Sequence, residues 1–352
     1  MNKGEYKMKI ITATAVALSL TIGNALADVK IKGSDYYEGK TVTIYVGAGA
    51  SGGTGMYGQL VKNWIGKFIP GNPDIKVKHV SGGGGVRVGK QAVAGVIDST
   101  EGLSIIMFPG SISLAGSAIP TEKSINYKPT DFPVVGSLLN EASVMAVDKN
   151  LGINNIKDLM GKPTVWASFG KTSSATVLPK MVAEFFDNIE VKIVRGYKGS
   201  GNAIKAIASG EVNALAVSMS TFSKKAKVVP QGLSYIAAVG DKSSIPVGVP
   251  DILDIVKPKY KKYFQFYADT SPLGRSFYVH KSTPAEYQKI LTESFDRMLV
   301  DKDFLAFAKS KKLAVNPVSA KLSNQKLKDI ENIDPDVFRL VELTYLKNIS
   351  LD

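Results

Sequence analysis

Four clusters of glycine, serine and threonine carry most of the chemistry that this sequence offers. They span residues 49–55, 81–85, 168–174 and 197–201, and each follows a strand-like apolar run and precedes a helix-like stretch. Glycine lets the backbone come close to a bound molecule, and the first turn of the helix offers N–H groups without partners. Such a site prefers anions. One cluster alone is more often a simple turn, but four in one chain favour an anion-binding protein.

Side chains suited to catalysis are scarce. The chain has no cysteine, and its two histidines, His79 and His280, lie in no metal-ligand spacing such as H-E-x-x-H. Neither histidine has an evident partner in the sequence that would position it as a base. We therefore expect no enzymatic activity, no metal site and no cofactor.

Gly47 to Gly52 matches the dinucleotide-binding pattern G-x-G-x-x-G after a predicted strand. That pattern needs an acidic residue at the end of the second strand, where it binds the ribose hydroxyls. Here the second strand ends in His79-Val80-Ser81. The match is therefore weak, and a dinucleotide ligand is not expected.

The chain of 352 residues has a formal net charge of +13. A basic surface raises the local concentration of anions, although lysine-rich surfaces also simply keep proteins in solution. The densest lysine runs, at 224–227 and 257–262, have no glycine-rich cluster beside them. Nucleic-acid binding is therefore not expected.

The first residues have the pattern of a secretory signal. A basic start with Lys3, Lys7 and Lys9 precedes an apolar run over 10–22, and Ala25-Leu26-Ala27 has the spacing of a cleavage site. The apolar run is too short to span a bilayer. We expect cleavage after Ala27 and export to the periplasm.

Predicted strands alternate with predicted helices in two series, which indicates an α/β fold with largely parallel sheets. Ligands of such sheets lie outside the carboxyl ends of the strands, so the four clusters would face one another across a cleft. The predicted segments are a signal peptide at 1–27, domain 1 at 28–138 plus 273–352, and domain 2 at 139–272 with the hinge crossovers at its ends.

Several short motifs follow one another in a specific order. They are Lys40–Ile44 with Gly52-Gly53, Ile69–Pro73, Ser81–Gly85, Ala167–Ser174, Tyr197–Gly201, Leu273–Arg275 and Val315–Ser319. In this order they resemble the periplasmic receptors of tripartite tricarboxylate transporters, also called the Bug family. The resemblance covers nearly all of the chain after the predicted signal, and Tyr197–Gly201 matches the family motif Y-K-G-S-G fully.

The resemblance implies a two-domain periplasmic-binding-protein fold of the type II class, also called a Venus flytrap. It implies that a small organic carboxylate is held between the domains and delivered to a large and a small integral membrane subunit. We expect the receptor to be a monomer. By position, the implied ligand-binding residues are Ala50, Ser51, Gly52, Gly53, Thr54, Gly83, Gly84, Ser168, Gly170, Lys171, Thr172, Ser173, Tyr197, Lys198, Gly199, Ser200, Gly201, Ser218 and Met219.

Three places depart from the family pattern. The first loop of the family usually continues Asp-x-x-Ala-Arg, and this chain has Gly55 and Gln59 in place of the Asp and the Arg. The usual Asp-Gly-Tyr-Thr motif is altered at 99–104, and Ser81 replaces a proline. The identity of the carboxylate therefore stays open.

Two other functions also stay open at this point. A receptor of the same fold can pass ligand occupancy to a sensor kinase, and neighbouring genes would separate this role from transport. A secreted enzyme acting on a carboxylate is the third possibility, and turnover of the bound ligand would identify it.

Overall fold

The computed structural model describes residues 34–109, 125–170, 173–334 and 337, without the side chains of Lys224 and Lys225. The predicted signal peptide at 1–27 lies outside the described residues. So do Lys171 and Thr172 of the predicted site. Within the described ranges, no helix combines the length and the apolar character needed to cross a membrane.

The strands of the described part form two five-stranded sheets. In chain order they are β1 (Thr41–Val46), β2 (Asp74–His79), β3 (Ser104–Met107), β4 (Val134–Ser137), β5 (Ser143–Asp148), β6 (Thr164–Ala167), β7 (Val191–Val194), β8 (Ala214–Ser218), β9 (Leu233–Val239) and β10 (Ser276–Tyr278). The strand order is β2-β1-β3-β10-β4 in the first sheet and β7-β6-β8-β5-β9 in the second.

Each sheet contains one strand that directly follows a strand of the other sheet in the sequence: β5 follows β4, and β10 follows β9. In the first sheet β1 is parallel to β2 and β3, whereas β10 is antiparallel to β3 and β4. In the second sheet β6 is parallel to β7 and β8, whereas β5 is antiparallel to β8 and β9. The chain therefore passes between the sheets twice, from β4 to β5 and from β9 to β10.

The main helices flank these sheets. They are α1 (Gly53–Lys62), α2 (Val86–Val93), α3 (Ser174–Phe185), α4 (Ser200–Ala208), α5 (Met219–Lys225), α6 (Ile252–Ile255), α7 (Lys261–Asp269), α8 (Ala285–Val300), α9 (Lys302–Ser310) and α10 (Ala320–Glu331). Because α1, α2, α3 and α4 each follow a parallel strand, their N-termini lie at the carboxyl edges of the sheets.

The second sheet is buried on both faces, as β5 illustrates. Met145 and Val147 belong to one apolar cluster, and Val144 and Ala146 belong to another. Successive side chains of a strand point to opposite faces, so a core lies on each side of this strand. Full burial of an aliphatic side chain contributes about 1.5–3 kcal/mol, which makes the sheet a rigid support for the turns at its edge.

We call the first sheet with α1, α2 and α8–α10 the first lobe, and the second sheet with α3–α7 the second lobe. Helix α7 belongs to the second lobe because its Tyr263 and Phe264 rings lie 5.1 and 5.7 Å from the ring of Phe185 in α3. The boundaries predicted at 138/139 and 272/273 fall in the two passages between the sheets, and as domain boundaries they stay predictions.

The passage from β4 to β5 is held by a distant segment. The N–H of Asn316 donates to the carbonyl of Leu138 at 2.9 Å, and the N–H of Val318 donates to the carbonyl of Ser137 at 3.1 Å. These two hydrogen bonds give a structural role to the motif at 315–319. The motif stabilises the connection between the lobes.

Candidate functional site

A cleft of about 460 Å³ lies between the two lobes. Its walls come from the turns that join β1 to α1, β2 to α2, β6 to α3 and β7 to α4, with further residues at the end of β8 and just before β10. This size is within the range of small-molecule sites. The four glycine-rich clusters of the sequence thus meet at one cavity.

The cleft contains ten of the residues predicted to bind a ligand: Gly52, Gly53, Thr54, Gly83, Gly84, Tyr197, Lys198, Gly199, Ser200 and Ser218. Seven other predicted residues are not among those that line it: Ala50, Ser51, Ser168, Gly170, Ser173, Gly201 and Met219. Lys171 and Thr172 lie outside the described residues. Ligand binding by these positions stays a prediction.

The starts of α1 and α4 meet across the cleft. The N–H of Gly53 donates to Ser200 Oγ at 3.4 Å, and a Cβ added to Gly52 would lie 3.8 Å from the nitrogen of Ser200. Neither helix has a side-chain cap. A helix N-terminus carries a partial positive charge, so two of them converging from opposite lobes favour an anion between them.

The turn between β2 and α2 makes a second contact between the lobes. Gly82 to Gly85 all have positive φ angles, from 59° to 146°, which a residue with a side chain adopts only with strain. A Cβ on Gly170 of the second lobe would lie 2.5 Å from the nitrogen of Gly84. Backbone therefore packs directly against backbone here, and only glycine at position 170 permits it.

The hydroxyl groups of the β6–α3 turn support that turn from inside. Ser173 Oγ donates to the carbonyl of Gly170 at 2.9 Å, and Thr176 Oγ1 donates to the same carbonyl at 2.7 Å. The N–H of Gly170 donates in turn to Ser168 Oγ at 3.2 Å. Ser168 and Ser173 are both buried. In place of these two serines, Ser174 lines the cleft.

Tyr197 presents its ring to the cleft while its hydroxyl is engaged elsewhere. The hydroxyl donates to Glu211 Oε1 at 2.7 Å. Burial, together with the hydrogen bond to the Glu211 carboxylate, raises the pKa of Tyr197 to about 12. The phenol therefore stays protonated at physiological pH and is not a base for chemistry in the cleft.

Arg275 lines the cleft but is not among the residues predicted to bind a ligand. Its side chain is 3 % exposed, and its Nη2 lies 3.2 Å from Glu141 Oε1. Glu141 also accepts hydrogen bonds from the N–H of Ser220 at 2.8 Å and from Ser220 Oγ at 2.9 Å. Arg275 Nε is buried and has no hydrogen-bond partner. These contacts form one buried group. It joins Arg275 of the first lobe, Glu141 of the passage from β4 to β5, and Ser220 at the start of α5 in the second lobe.

Sequence reasoning also missed Arg87 and Thr221, which both line the cleft. A Cβ on Gly53 would lie 2.6 Å from Thr221 Oγ1 and 3.1 Å from Arg275 Nη2. The signal for Arg275 was present, since Leu273–Arg275 is one of the ordered motifs. Its partner Glu141 is 134 positions away in the sequence, and no local pattern joins the two.

The charged side chains among the described residues that line the cleft are all cationic. The described residues that line it include Arg87, Lys198 and Arg275 but no aspartate, glutamate or histidine. Within the described ranges, no group of three His, Cys, Asp or Glu side chains is placed to hold a metal ion. Fixed cations in a concave site attract anions and raise their local concentration.

The sequence matches no protein-family model and no curated protein. Solved structures do match along most of the chain. The periplasmic binding protein BugD is 17% identical, with a TM-score of 0.65 and coverage of 88% of this chain and 98% of that chain. MatC from Rhodopseudomonas palustris, solved with bound malate, is 16% identical with a TM-score of 0.61, covering 85% of this chain and 99% of that one.

A further R. palustris protein, solved with adipate, is 17% identical with a TM-score of 0.65 and covers 87% of this chain and 97% of that chain. A TctC solute-binding protein from Polaromonas is 13% identical with a TM-score of 0.56. The match covers 87% of this chain and 99% of that chain. The chain has the fold of the Bug and TctC binding proteins. The two-domain periplasmic-binding-protein fold predicted from the sequence is confirmed, and so is the resemblance at the level of the fold.

In this Bug-type fold, the departure at Gly55 has a steric reason. A Cβ on Gly55 would lie 2.5 Å from the carbonyl oxygen of Gly49 and 2.7 Å from that of Ala50. Contacts this short force the neighbouring backbone to shift. The turn before α1 therefore leaves no room for the aspartate that the family pattern has at this position.

Proposed function

We propose that the protein is an extracytoplasmic solute-binding receptor that captures a small carboxylate in the cleft between its lobes. It delivers this ligand to the large and small membrane subunits of a tripartite tricarboxylate-type transporter. The observation that carries the proposal is the convergence of the α1 and α4 N-termini, at Gly53 and Ser200, in a cleft whose described charged lining residues are all cationic.

The choice of a carboxylate follows from the donors that the cleft offers. Backbone N–H groups at a helix start donate charge-assisted hydrogen bonds to the oxygens of a carboxylate. The similar structures solved with malate and adipate both hold carboxylic acids, which supports the same class of ligand here.

Delivery without chemical change is the second part of the proposal. Among the described lining residues no histidine, aspartate or glutamate is present to act as a base beside the ligand. The ligand is therefore released unchanged to the membrane subunits. The signal peptide predicted at 1–27 would place the receptor in the periplasm, where those subunits are reached.

The proposal is tested by the binding preferences of the chain from Asp28 onward. A ligand at one hundred times its dissociation constant adds about 2.7 kcal/mol to stability, which raises the melting temperature by a few degrees. We expect mono-, di- or tricarboxylates from a broad panel to do so, and neutral sugars to do nothing. Stabilisation by sugars with every carboxylate inert would overturn the proposal.

Transport itself is tested in cells. Deleting the gene for this protein should abolish uptake of the labelled carboxylate identified in the panel, and restoring it should recover uptake only when both membrane subunits are present. Mass spectrometry of the ligand after long incubation with the purified protein should show the unaltered compound. A chemically altered ligand would favour a secreted enzyme instead.

A further inference from the structure

Two cations face the cleft from opposite lobes. Arg87 belongs to α2 of the first lobe, and Lys198 lies in the turn before α4 of the second lobe. Both residues line the cleft and both are exposed to solvent. Within the described residues, neither of them forms an ion pair with an acidic side chain.

The side chain of Arg87 runs along the rim of the cleft. A Cβ on Gly82 would lie 3.2 Å from Arg87 Cδ and 3.4 Å from Arg87 Cβ. The aliphatic part of the arginine therefore packs across the glycine turn that forms one wall of the cleft. Glycine at position 82 leaves the space that this side chain occupies, and Arg87 is one of the residues that line the cleft.

Lys198 is positioned by a contact between the lobes. Its carbonyl accepts a hydrogen bond of 3.4 Å from the N–H of Gly49, so the turn that carries it touches the first lobe. When the lobes are together, as in this structure, Lys198 and Arg87 therefore border the same cavity from its two sides.

The third cation of the cleft is already neutralised. Arg275 lies 3.2 Å from the buried carboxylate of Glu141, so this pair adds no net charge. Among the described residues, Arg87 and Lys198 have no such partner, so their two positive charges are not neutralised there. A ligand with a single carboxylate, held by the helix starts, leaves both of them unmatched.

We propose that Arg87 and Lys198 are specificity-determining residues that bind a second anionic group of the ligand, one from each lobe. This inference rests on the proposed binding of a carboxylate at the helix starts. It adds that the receptor selects compounds with two separated anionic groups over compounds of the same length with one. Because the second group contacts both lobes, it also stabilises their closed arrangement, which a singly charged ligand does less well.

The test compares acids of equal length that differ only in the second carboxylate. Isothermal titration calorimetry is run with hexanoate and adipate, pentanoate and glutarate, butyrate and succinate, and benzoate and terephthalate. We expect at least one dicarboxylate to bind ten times or more tightly than its monocarboxylate counterpart. Raising the ionic strength should weaken the dicarboxylate more, because exposed charges are screened by salt.

The variants Arg87→Gln and Lys198→Gln assign the effect to these residues. Each should weaken the preferred dicarboxylate by about tenfold, the effect of losing a hydrogen bond to a charged group, and should change its monocarboxylate by less than about twofold. Lys90→Gln on α2 and Lys192→Gln on β7 are matched controls, since both lysines are exposed and neither lines the cleft. The controls should bind every acid as the parent protein does.

The outcomes separate this inference from the proposed function. Equal affinity for the two members of every pair, or variants that behave like the controls, would overturn the inference and leave the carboxylate receptor standing. Equal losses for mono- and dicarboxylates in Arg87→Gln and Lys198→Gln would also overturn it, because both cations would then serve the first carboxylate. If none of these acids binds, the inference fails, and the proposed function fails as well only when every carboxylate of the broad panel is also inert.

Discussion

The guanidinium of Arg275 and the carboxylate of Glu141 form a buried ion pair, 3.2 Å apart, at the point where the two lobes and the passage between them meet. Arg275 stands at the start of the strand that returns to the first sheet, with its guanidinium carbon 5.3 Å from the centre of the Tyr57 ring. Glu141 binds the start of α5 in the second lobe through Ser220. The pair therefore links the floor of the cleft to the hinge region.

Glu141→Gln should destabilise the protein strongly. Both side chains of the pair are 3 % exposed, so the substitution leaves a buried guanidinium without its counter-charge. Breaking such a pair costs about 3–5 kcal/mol. The free energy of unfolding in urea measures the effect, and Lys257→Gln serves as the control because its pair with Asp187 is exposed and contributes little to stability. If Glu141→Gln and Lys257→Gln lowered the free energy of unfolding equally, the buried pair would contribute no more to stability than the exposed pair.

Gly170→Ala should keep the lobes apart. The new Cβ would lie 2.5 Å from the nitrogen of Gly84, and the φ angle of Gly170 is +151°, so the closed arrangement becomes both crowded and strained. We expect weaker carboxylate binding and a larger radius of gyration in small-angle scattering at saturating ligand.

Gly210→Ala is the control for Gly170→Ala, since its φ of +79° is also positive and nothing lies within 4 Å of the added Cβ. It should lose stability by about 1 kcal/mol through backbone strain and bind as before. A ligand-bound radius of gyration in Gly170→Ala that equals that of the parent protein would show that this glycine contact is not needed for closure.

Ser173→Ala should act on stability more than on affinity. Ser173 Oγ donates to the carbonyl of Gly170, which keeps Thr176 as a second donor, so the loss is that of one buried hydrogen bond, about 1 kcal/mol. Thermal unfolding without ligand should show this loss. An unchanged melting temperature together with a tenfold loss of affinity would instead mean that Ser173 binds the carboxylate directly, as its place in the sequence predicted.

Asp131 should make the first lobe sensitive to acid. Burial alone would raise the pKa of Asp131, but the hydrogen bonds from Lys281 Nζ at 2.8 Å and the N–H of Lys128 at 2.9 Å outweigh it and lower the pKa. A lowered pKa gives stability that is complete above the unfolded value of about 3.9 and is lost as the pH falls through the folded value. Asp131→Asn should therefore unfold with a shallower pH dependence below about pH 4.

The measurement for Asp131 is urea unfolding at pH 5, 4 and 3. Lys281→Met tests the cause, since it should remove part of the same acid sensitivity while leaving the carboxyl in place. If the free energy of unfolding fell equally with pH in the parent protein and in Asp131→Asn, Asp131 would not be the source of the acid sensitivity.

Local sequence patterns predicted the strands and turns around the cleft well. The glycine clusters at the ends of β1, β2, β6 and β7 border the cavity, as the alternation of strands and helices in the sequence predicted. Helix α1 begins at Gly53, inside the first glycine cluster. Glycine has a low helix propensity, so no local pattern indicates that Gly53 and Gly55 are helical.

What the sequence did not reveal depends on contacts between distant residues. Strand β9 at Leu233–Val239 and helix α10 at Ala320–Glu331 were not predicted. The hydroxyls of Ser168 and Ser173 follow the pattern of ligand donors, yet the structure directs them to the backbone of their own turn. Arg275 joins the site only because the return strand brings it to Glu141.

The central claim, that a carboxylate binds between the helix starts of α1 and α4, is tested most directly by a crystal structure of the protein with its tightest-binding carboxylate. We predict density for the ligand inside the cleft, with carboxylate oxygens within hydrogen-bonding distance of backbone N–H groups near Gly53 and Ser200. Density for the ligand only outside the cleft, with no carboxylate oxygen near the N–H groups around Gly53 and Ser200, would contradict the claim.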